Sequence, residues 1–254
     1  MLPIDAAFAH AVDPVLFCED RLRFHDSRPY PWQAKLLRSN APQVILNVGR
    51  QCGKSTVVAA LAVHTALYQP GALTIVISPS LRQSGELMLK CREFLQGLGS
   101  SVVLPEENKL SATLANNSRI VALPGDNPRT IRGFSAPALV IEDESAFVRD
   151  ETHAALIPML AASANGRLIL MSTPWLCLGH FHSIWQDGEN WERYGVPTSE
   201  CPRVRPEWLA ERKHEDPLNY AREYECTFAT GDDGLFTAAM LDRMEASDFE
   251  PLAL

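Results

Sequence analysis

Positive charge is scarce in this sequence. Lys and Arg number 23 against 31 Asp and Glu, a net charge of −8, so the chain lacks the basic excess with which a protein coats nucleic acid. Contact with DNA through a few residues stays compatible with that balance. A CxxC pair is also missing. The six cysteines (Cys18, Cys52, Cys91, Cys177, Cys201 and Cys226) are scattered, which argues for free thiols rather than a disulfide or zinc framework. Cys177, His180 and His182 lie close together, but no fourth ligand stands near them, so they are not read as a metal site. Long apolar runs are absent as well. The longest, Val57–Leu67 and Leu168–Leu178, are broken by His, Ser, Thr or Pro and fall short of a membrane span. The opening MLPIDAAFAHAVDP is acidic where an export signal would be basic, and no repeat or heptad pattern is found. These absences point to a soluble, intracellular protein with no membrane association. An apolar share of 46% over 254 residues suffices for a core without staples.

What is present is an alternation. Residues 1–40 carry Pro14, Pro29 and Pro31 and read as irregular. Short apolar, β-rich runs follow at Gln43–Val48, Leu73–Ile77, Leu139–Ile141 and Leu168–Met171. Helical patterns fall at Lys54–Tyr68, Leu81–Leu98 and near Glu151–Leu160. Leu110–Leu114 and Ile120–Leu123 flank Asn116-Asn117-Ser118 and read as a β-hairpin. Strands apolar on both faces and alternating with helices predict an α/β fold with a mainly parallel central sheet covered on both sides. Residues 41–174 form this expected core. Tryptophans and prolines then concentrate, with short helices predicted at Glu207–Glu215 and Leu218–Glu225, so residues 175–235 read as a small C-terminal lid subdomain. Residues 236–254 have the texture of a linker.

The segment VGRQCGKST, Val48 to Thr56, lies between a predicted strand and a predicted helix, the setting in which Gly-Lys-Ser binds phosphate. Backbone N–H groups of such a loop and the positive end of the helix dipole face phosphate oxygens. Lys54 would reach the β- and γ-phosphates, and the Ser55 hydroxyl would ligate Mg²⁺. The usual first glycine falls at Val48, one residue before Gly49. The second signal is ALVIEDES, Ala138 to Ser145, a strand ending in carboxylates. Asp143 would hold Mg²⁺ and Glu144 would polarise the attacking water. Glu142, a charge where an apolar residue is expected, leaves a second register open in which Glu142 and Asp143 take these roles. Together the motifs indicate a nucleoside triphosphatase that uses Mg²⁺.

The motifs and their order resemble the ATPase domain of the large terminase subunit of tailed bacteriophages. The likeness rests on PYPWQ (Pro29–Gln33), the loop Gly49-Arg50-Gln51-Cys52-Gly53-Lys54-Ser55-Thr56, LILMSTP (Leu168–Pro174) and REYECTF (Arg222–Phe228). The resemblance implies a P-loop NTPase of the ASCE type, with ATP as its nucleotide. It assigns Gln33 to the adenine edge, and Ser172 and Thr173 to sensing the γ-phosphate and relaying hydrolysis. Arg132, in PRTIRGF, falls where some members of the family supply an arginine finger to a neighbouring subunit; Arg129 and Arg50 are the alternatives. It further implies translocation of double-stranded DNA, a homo-oligomeric ring, a portal protein and a small terminase subunit as partners, and the cytoplasm of an infected bacterium as location. The 236–254 segment would lead to a nuclease domain, so this chain is expected not to cleave DNA. An assembly module that binds nucleotide with negligible turnover and a helicase-like ATPase are the competing readings. Candidate DNA contacts are Arg82, Lys90, Arg92, Lys109 and Arg119.

Overall fold

The computed structural model of the chain describes residues 4–22, 24, 28–99 and 108–229. Seven strands build one sheet: β1 (Gln43–Val48), β2 (Leu73–Ser78), β3 (Ser111–Thr113), β4 (Arg119–Pro124), β5 (Leu139–Asp143), β6 (Arg167–Ser172) and β7 (Glu192–Val196). Their spatial order is β3-β4-β2-β5-β6-β1-β7, parallel throughout except for the predicted hairpin β3-β4. Strand β6 therefore lies between β1, which leads into the phosphate loop, and β5, which ends in the carboxylates. That interposed strand is the ASCE arrangement. It brings the ends of three parallel strands to one edge of the sheet, where open α/β folds place their ligands.

Alternation along the strands divides the core. Val44 and Leu46 of β1 face one apolar cluster together with α4 (Lys54–Tyr68) and α5 (Leu81–Gly97). Ile45 faces the other, with Phe181 of α8 (Gly179–Asp187) and with Leu156 and Met159 of α7 (Asp150–Ala161). Helix α4 is buried from Thr56 to Ala66, and its run of Ala and Val lets neighbouring helices and the sheet approach closely. The loop at its start is thus anchored on the most deeply buried helix of the fold.

The first forty residues are not irregular. They contain α1 (Ile4–Val12), α2 (Pro14–Arg21) and α3 (Pro31–Arg38). Pro14 and Pro31 stand in the first helical turn, where a missing N–H costs nothing, and Asp13 caps α2 by accepting from the Val15 N–H at 2.9 Å. Residues 175–229 hold α8, then β7, then α9 (Pro206–Glu215) and α10 (Pro217–Glu225). Strand β7 pairs with β1, so this part of the expected lid belongs to the central sheet. The short α6 (Pro128–Ile131) precedes β5. The expected linker, residues 236–254, lies outside the described residues. Among the described residues, no helix is long and apolar enough to cross a membrane.

Candidate active site

Beyond Val48 the chain turns through Gln51 (φ +64°) and Gly53 (φ +81°) into the first turn of α4. Arg50, Gln51 and the residues from Gly53 to Thr56 line a cavity of about 260 Å³, joined by Lys90 of α5 and by Arg203. Arg50, Lys54, Lys90 and Arg203 thus gather at a helix start, where the helix dipole and free N–H groups favour an anion. Cys52 is buried beneath the loop, its Sγ 3.7 Å from Thr198 Oγ1. Gly49 answers a packing demand: a Cβ there would lie 2.4 Å from Thr198 Oγ1, 3.0 Å from Thr198 N and 3.1 Å from Tyr224 O. The loop is tied to these same elements. The Gly49 N–H donates to Val196 O and the Arg50 N–H to Glu223 O, both at 2.9 Å, and the Arg50 guanidinium pairs with the Glu223 carboxylate.

Gln33, expected at the adenine edge, has its amide bonded within the chain. It is completely buried; its Oε1 accepts from the Tyr30 N–H at 2.9 Å, and its Nε2 donates to Gly53 O at 3.2 Å and Cys52 O at 3.4 Å. Its amide is spent on holding α3 to the back of the phosphate loop.

Strand β5 delivers the carboxylates. Asp143 is buried, and desolvation, then the adjacent Glu144, push its carboxyl up to about 7 against the opposing pull of Lys54. Glu144 adopts a left-handed backbone (φ +50°), a costly conformation for a non-glycine residue. Its Oε1 stands 3.9 Å from Lys54 Nζ, and its Oε2 accepts from Ser172 Oγ at 3.4 Å. Ser172 and Thr173, at the end of β6, are both buried. The Asp143 and Glu144 carboxylates and the Ser55 hydroxyl are all oxygen donors, the kind of ligand Mg²⁺ takes. The residues present fit that ion.

Glu142 points elsewhere. Fully buried on the other face of β5, it accepts from Ser145 Oγ at 2.5 Å, His180 Nε2 at 2.6 Å and His153 Nδ1 at 3.0 Å. His180 Nδ1 in turn meets Asp150 Oδ1 at 2.8 Å. Burial alone would raise the Glu142 carboxyl, but the bonds from His153 and His180 outweigh it and hold it at about 2. Burial would likewise lower His180, and its two carboxylate partners raise it instead. The alternative register, with Glu142 beside the phosphate, is therefore not the one the fold adopts. Glu142, His153 and His180 are also the one group with metal-ligand spacing among the described residues, although proton donors already satisfy the carboxylate. Cys177 and His182 are not part of it; His182 packs edge-on against Phe228.

Arg132 follows α6, exposed and without a hydrogen-bonding or ionic partner among the described residues. It borders a separate cavity of about 540 Å³ with Phe134, Glu151 and Met159 rather than the phosphate cavity of its own chain. Arg129 is likewise exposed. Of the candidate DNA contacts, Lys90 lines the cavity at the start of α4, and the Arg92 guanidinium donates to the carbonyls of Asn108, Lys109 and Ser111. Arg82, Lys109 and Arg119 are exposed. Sequence reasoning missed Arg203, Thr198 and Glu223 because they reach the loop from beyond β7; Thr198 and Glu223 stand 148 and 173 residues from Arg50 along the chain.

Residues 45–243 match the family described as terminase large subunit, T4likevirus-type, N-terminal. The chain belongs to this family. The terminase large subunit of Thermus virus P23-45 is 23% identical over 250 residues, which cover 83% of this chain and 50% of that protein. The terminase chain thus spans about half the length of the curated relatives it matches. Its fold is that of the large terminase ATPase domain of Thermus phage P74-26, at a TM-score of 0.68 and 23% identity over 80% of this chain and 94% of that one. The large terminase of bacteriophage HK97 gives a TM-score of 0.70 at 19% identity, covering 86% of this chain and 55% of that one. A thermophilic bacteriophage's large terminase, solved with ADP, gives 0.63 at 11% identity over 75% of this chain and 49% of that one.

Proposed function

We propose that this chain is the motor domain that hydrolyses Mg-ATP to drive double-stranded DNA into a procapsid. The observation that carries the reading is the convergence of Lys54, Glu144 and Ser172 beside a cavity of four cations, from three adjacent strand ends. Lys54 and the loop from Gly49 to Thr56 hold the triphosphate. Ser55 and Asp143 hold Mg²⁺, which when bound neutralises phosphate charge. Glu144 orients and polarises the attacking water, and its contact with Ser172 lets the state of the γ-phosphate reach the end of β6.

From there a packed path leads outward. Trp175 follows Ser172 and Thr173 and sits between Phe147, at 5.2 Å between ring centroids, and the Arg222 guanidinium, 4.0 Å over its ring. Phe147 belongs to the turn that begins at Glu144, and Arg222 belongs to α10, whose Glu223 holds Arg50 of the phosphate loop. Loss of the γ-phosphate thus has a route through Trp175 to α10 and back to the loop.

Arg132 acts in trans, on the nucleotide of the next subunit in a homo-oligomeric ring. Its exposure, its lack of partners among the described residues and its place on a cavity other than the one at Lys54 support this role, whereas Glu223 anchors Arg50 within its own subunit. The ring works in the cytoplasm of the infected host, with a portal protein and a small terminase subunit. A finger of this kind contributes ~10³–10⁵ in rate. The test is steady-state ATP hydrolysis per subunit against protein concentration. The wild-type rate rises with concentration, Glu144→Gln is inactive with ATP still bound, and Arg132→Ala loses turnover but not affinity. A constant wild-type rate, or loss of affinity in Arg132→Ala, refutes the trans assignment.

A further inference from the structure

With Gln33 committed to the phosphate loop, the base of the nucleotide needs another seat. We infer that the base stacks on Trp208, in a pocket built by the segment after β7. This inference rests on the reading of the neighbouring cavity as a triphosphate site, and it assigns the other end of the same ligand.

A second cavity, of about 220 Å³, adjoins the phosphate cavity and shares Gln51 and Arg203 with it. Its remaining wall is Val204, Arg205 and the indole of Trp208. The two cavities together gather Arg50, Lys54 and Lys90 at one end and the Trp208 indole, flanked by Val204 and Arg205, at the other, an order that suits a nucleoside triphosphate. Placement agrees with this. The pocket's residues from Arg203 to Trp208 follow β7, which flanks β1 on the side opposite β6 and β5, so a nucleotide with its γ-phosphate toward Asp143 and Glu144 extends its base toward this segment.

Trp208 is braced for the task. Tyr224 meets it edge-on, at 5.4 Å between centroids and 86° between planes, and the Arg212 guanidinium lies 5.7 Å from its ring centre. Tyr224 follows Glu223, which grips Arg50, so the platform and the phosphate loop are held by one helix, α10. Stacking on a fixed aromatic face is a sequence-tolerant way to bind a base. The pocket therefore supplies affinity for the nucleotide and registers its presence on α9, which carries Trp208, and on α10, which the loop contacts.

The test uses the whole chain and two probes, Mg-ATP and Mg-tripolyphosphate, titrated by calorimetry into wild type, Trp208→Ala, Trp208→Phe and Lys54→Ala, with circular dichroism confirming the fold of each. Trp208→Ala weakens ATP ~5–150-fold and leaves tripolyphosphate unchanged; Trp208→Phe recovers most of the ATP affinity. Lys54→Ala weakens both probes. Equal ATP affinity in wild type and Trp208→Ala overturns the base pocket while the phosphate site stands. Equal loss of both probes in Trp208→Ala also overturns it, because the tryptophan then only supports the fold. Failure of wild type to bind either probe refutes the underlying nucleotide reading instead.

Discussion

Glu142 and Glu144 stand two residues apart and should fail in opposite ways. Glu142 is completely buried and accepts three hydrogen bonds, two of them from histidines. Replacing it by Leu strands His180 and Ser145 in the interior, and breaking a buried charge set from one side costs ~3–5 kcal/mol. At ~2–4 °C per kcal/mol for a chain of this size, Glu142→Leu should lower the melting temperature by ~6–20 °C. Glu142→Gln keeps the shape and loses only the charge-assisted part, ~1.5–3 kcal/mol, for a drop of ~3–12 °C. Hydrolysis assayed well below the melt should survive Glu142→Gln, because this carboxylate faces away from Lys54. Glu144 is partly exposed and sits beside Asp143, so Glu144→Gln relieves repulsion and should hold or raise the melting temperature while abolishing turnover. Thermal denaturation and a phosphate-release assay on both variants decide the matter. An unchanged melting temperature with lost hydrolysis in Glu142→Gln would place Glu142 at the reacting phosphate and refute the separation of roles.

Two further outcomes follow from the same geometry. Gly49→Ala should cost ~1–3 kcal/mol by overpacking, since its methyl meets Thr198 Oγ1 at 2.4 Å and backbone atoms at 3.0 and 3.1 Å. Thr198→Ala removes the tightest of these contacts, so denaturation of the double variant should show less than the summed loss, and strict additivity would argue against the clash. The raised His180 pKa gives a pH dependence of defined sign. Protonated His180 contributes stability that is complete below its ordinary value of 6.5 and lost as pH climbs through the raised folded value, with Glu142 ionised throughout that window. Melting curves across this range should show the gap between wild type and His180→Gln shrinking as pH rises; a gap independent of pH would mean that His180 is held by packing alone.

Much of the fold was legible because its signals are local. Gln43–Val48 and Leu73–Ile77 are apolar on both faces since helices cover both, and these two strands differ from the predicted runs by at most a residue. The phosphate loop and the pair Asp143 and Glu144 were legible for the same reason: each is a contiguous segment at a strand end. Strand β7 was missed because ERYGV is an edge strand with only Tyr194 and Val196 buried, too weak an alternation to stand out beside its tryptophan-rich flanks. Pro14 and Pro31 mask the N-terminal helices because proline breaks a helix interior, although proline in a first turn marks a helix start.

Glu142 shows where local reading stops. A carboxylate inside a buried parallel strand conflicts with its surroundings, and such a conflict persists only if other residues compensate it. The sequence therefore exposes that partners exist. It does not expose which, because the compensating groups stand 11 and 38 residues away, at His153 in the first turn of α7 and His180 in that of α8. Only the packing of both helix starts against one end of β5 makes them neighbours. The same logic applies to Gln33: its place beside the loop motif was legible, but whether its amide meets a base or the loop's own carbonyls depends on how deeply α3 is packed, and α3 is packed deeply enough to leave it no exposure. A residue's chemistry can be read from its type and its neighbours in sequence, whereas the partner that uses that chemistry is fixed by burial.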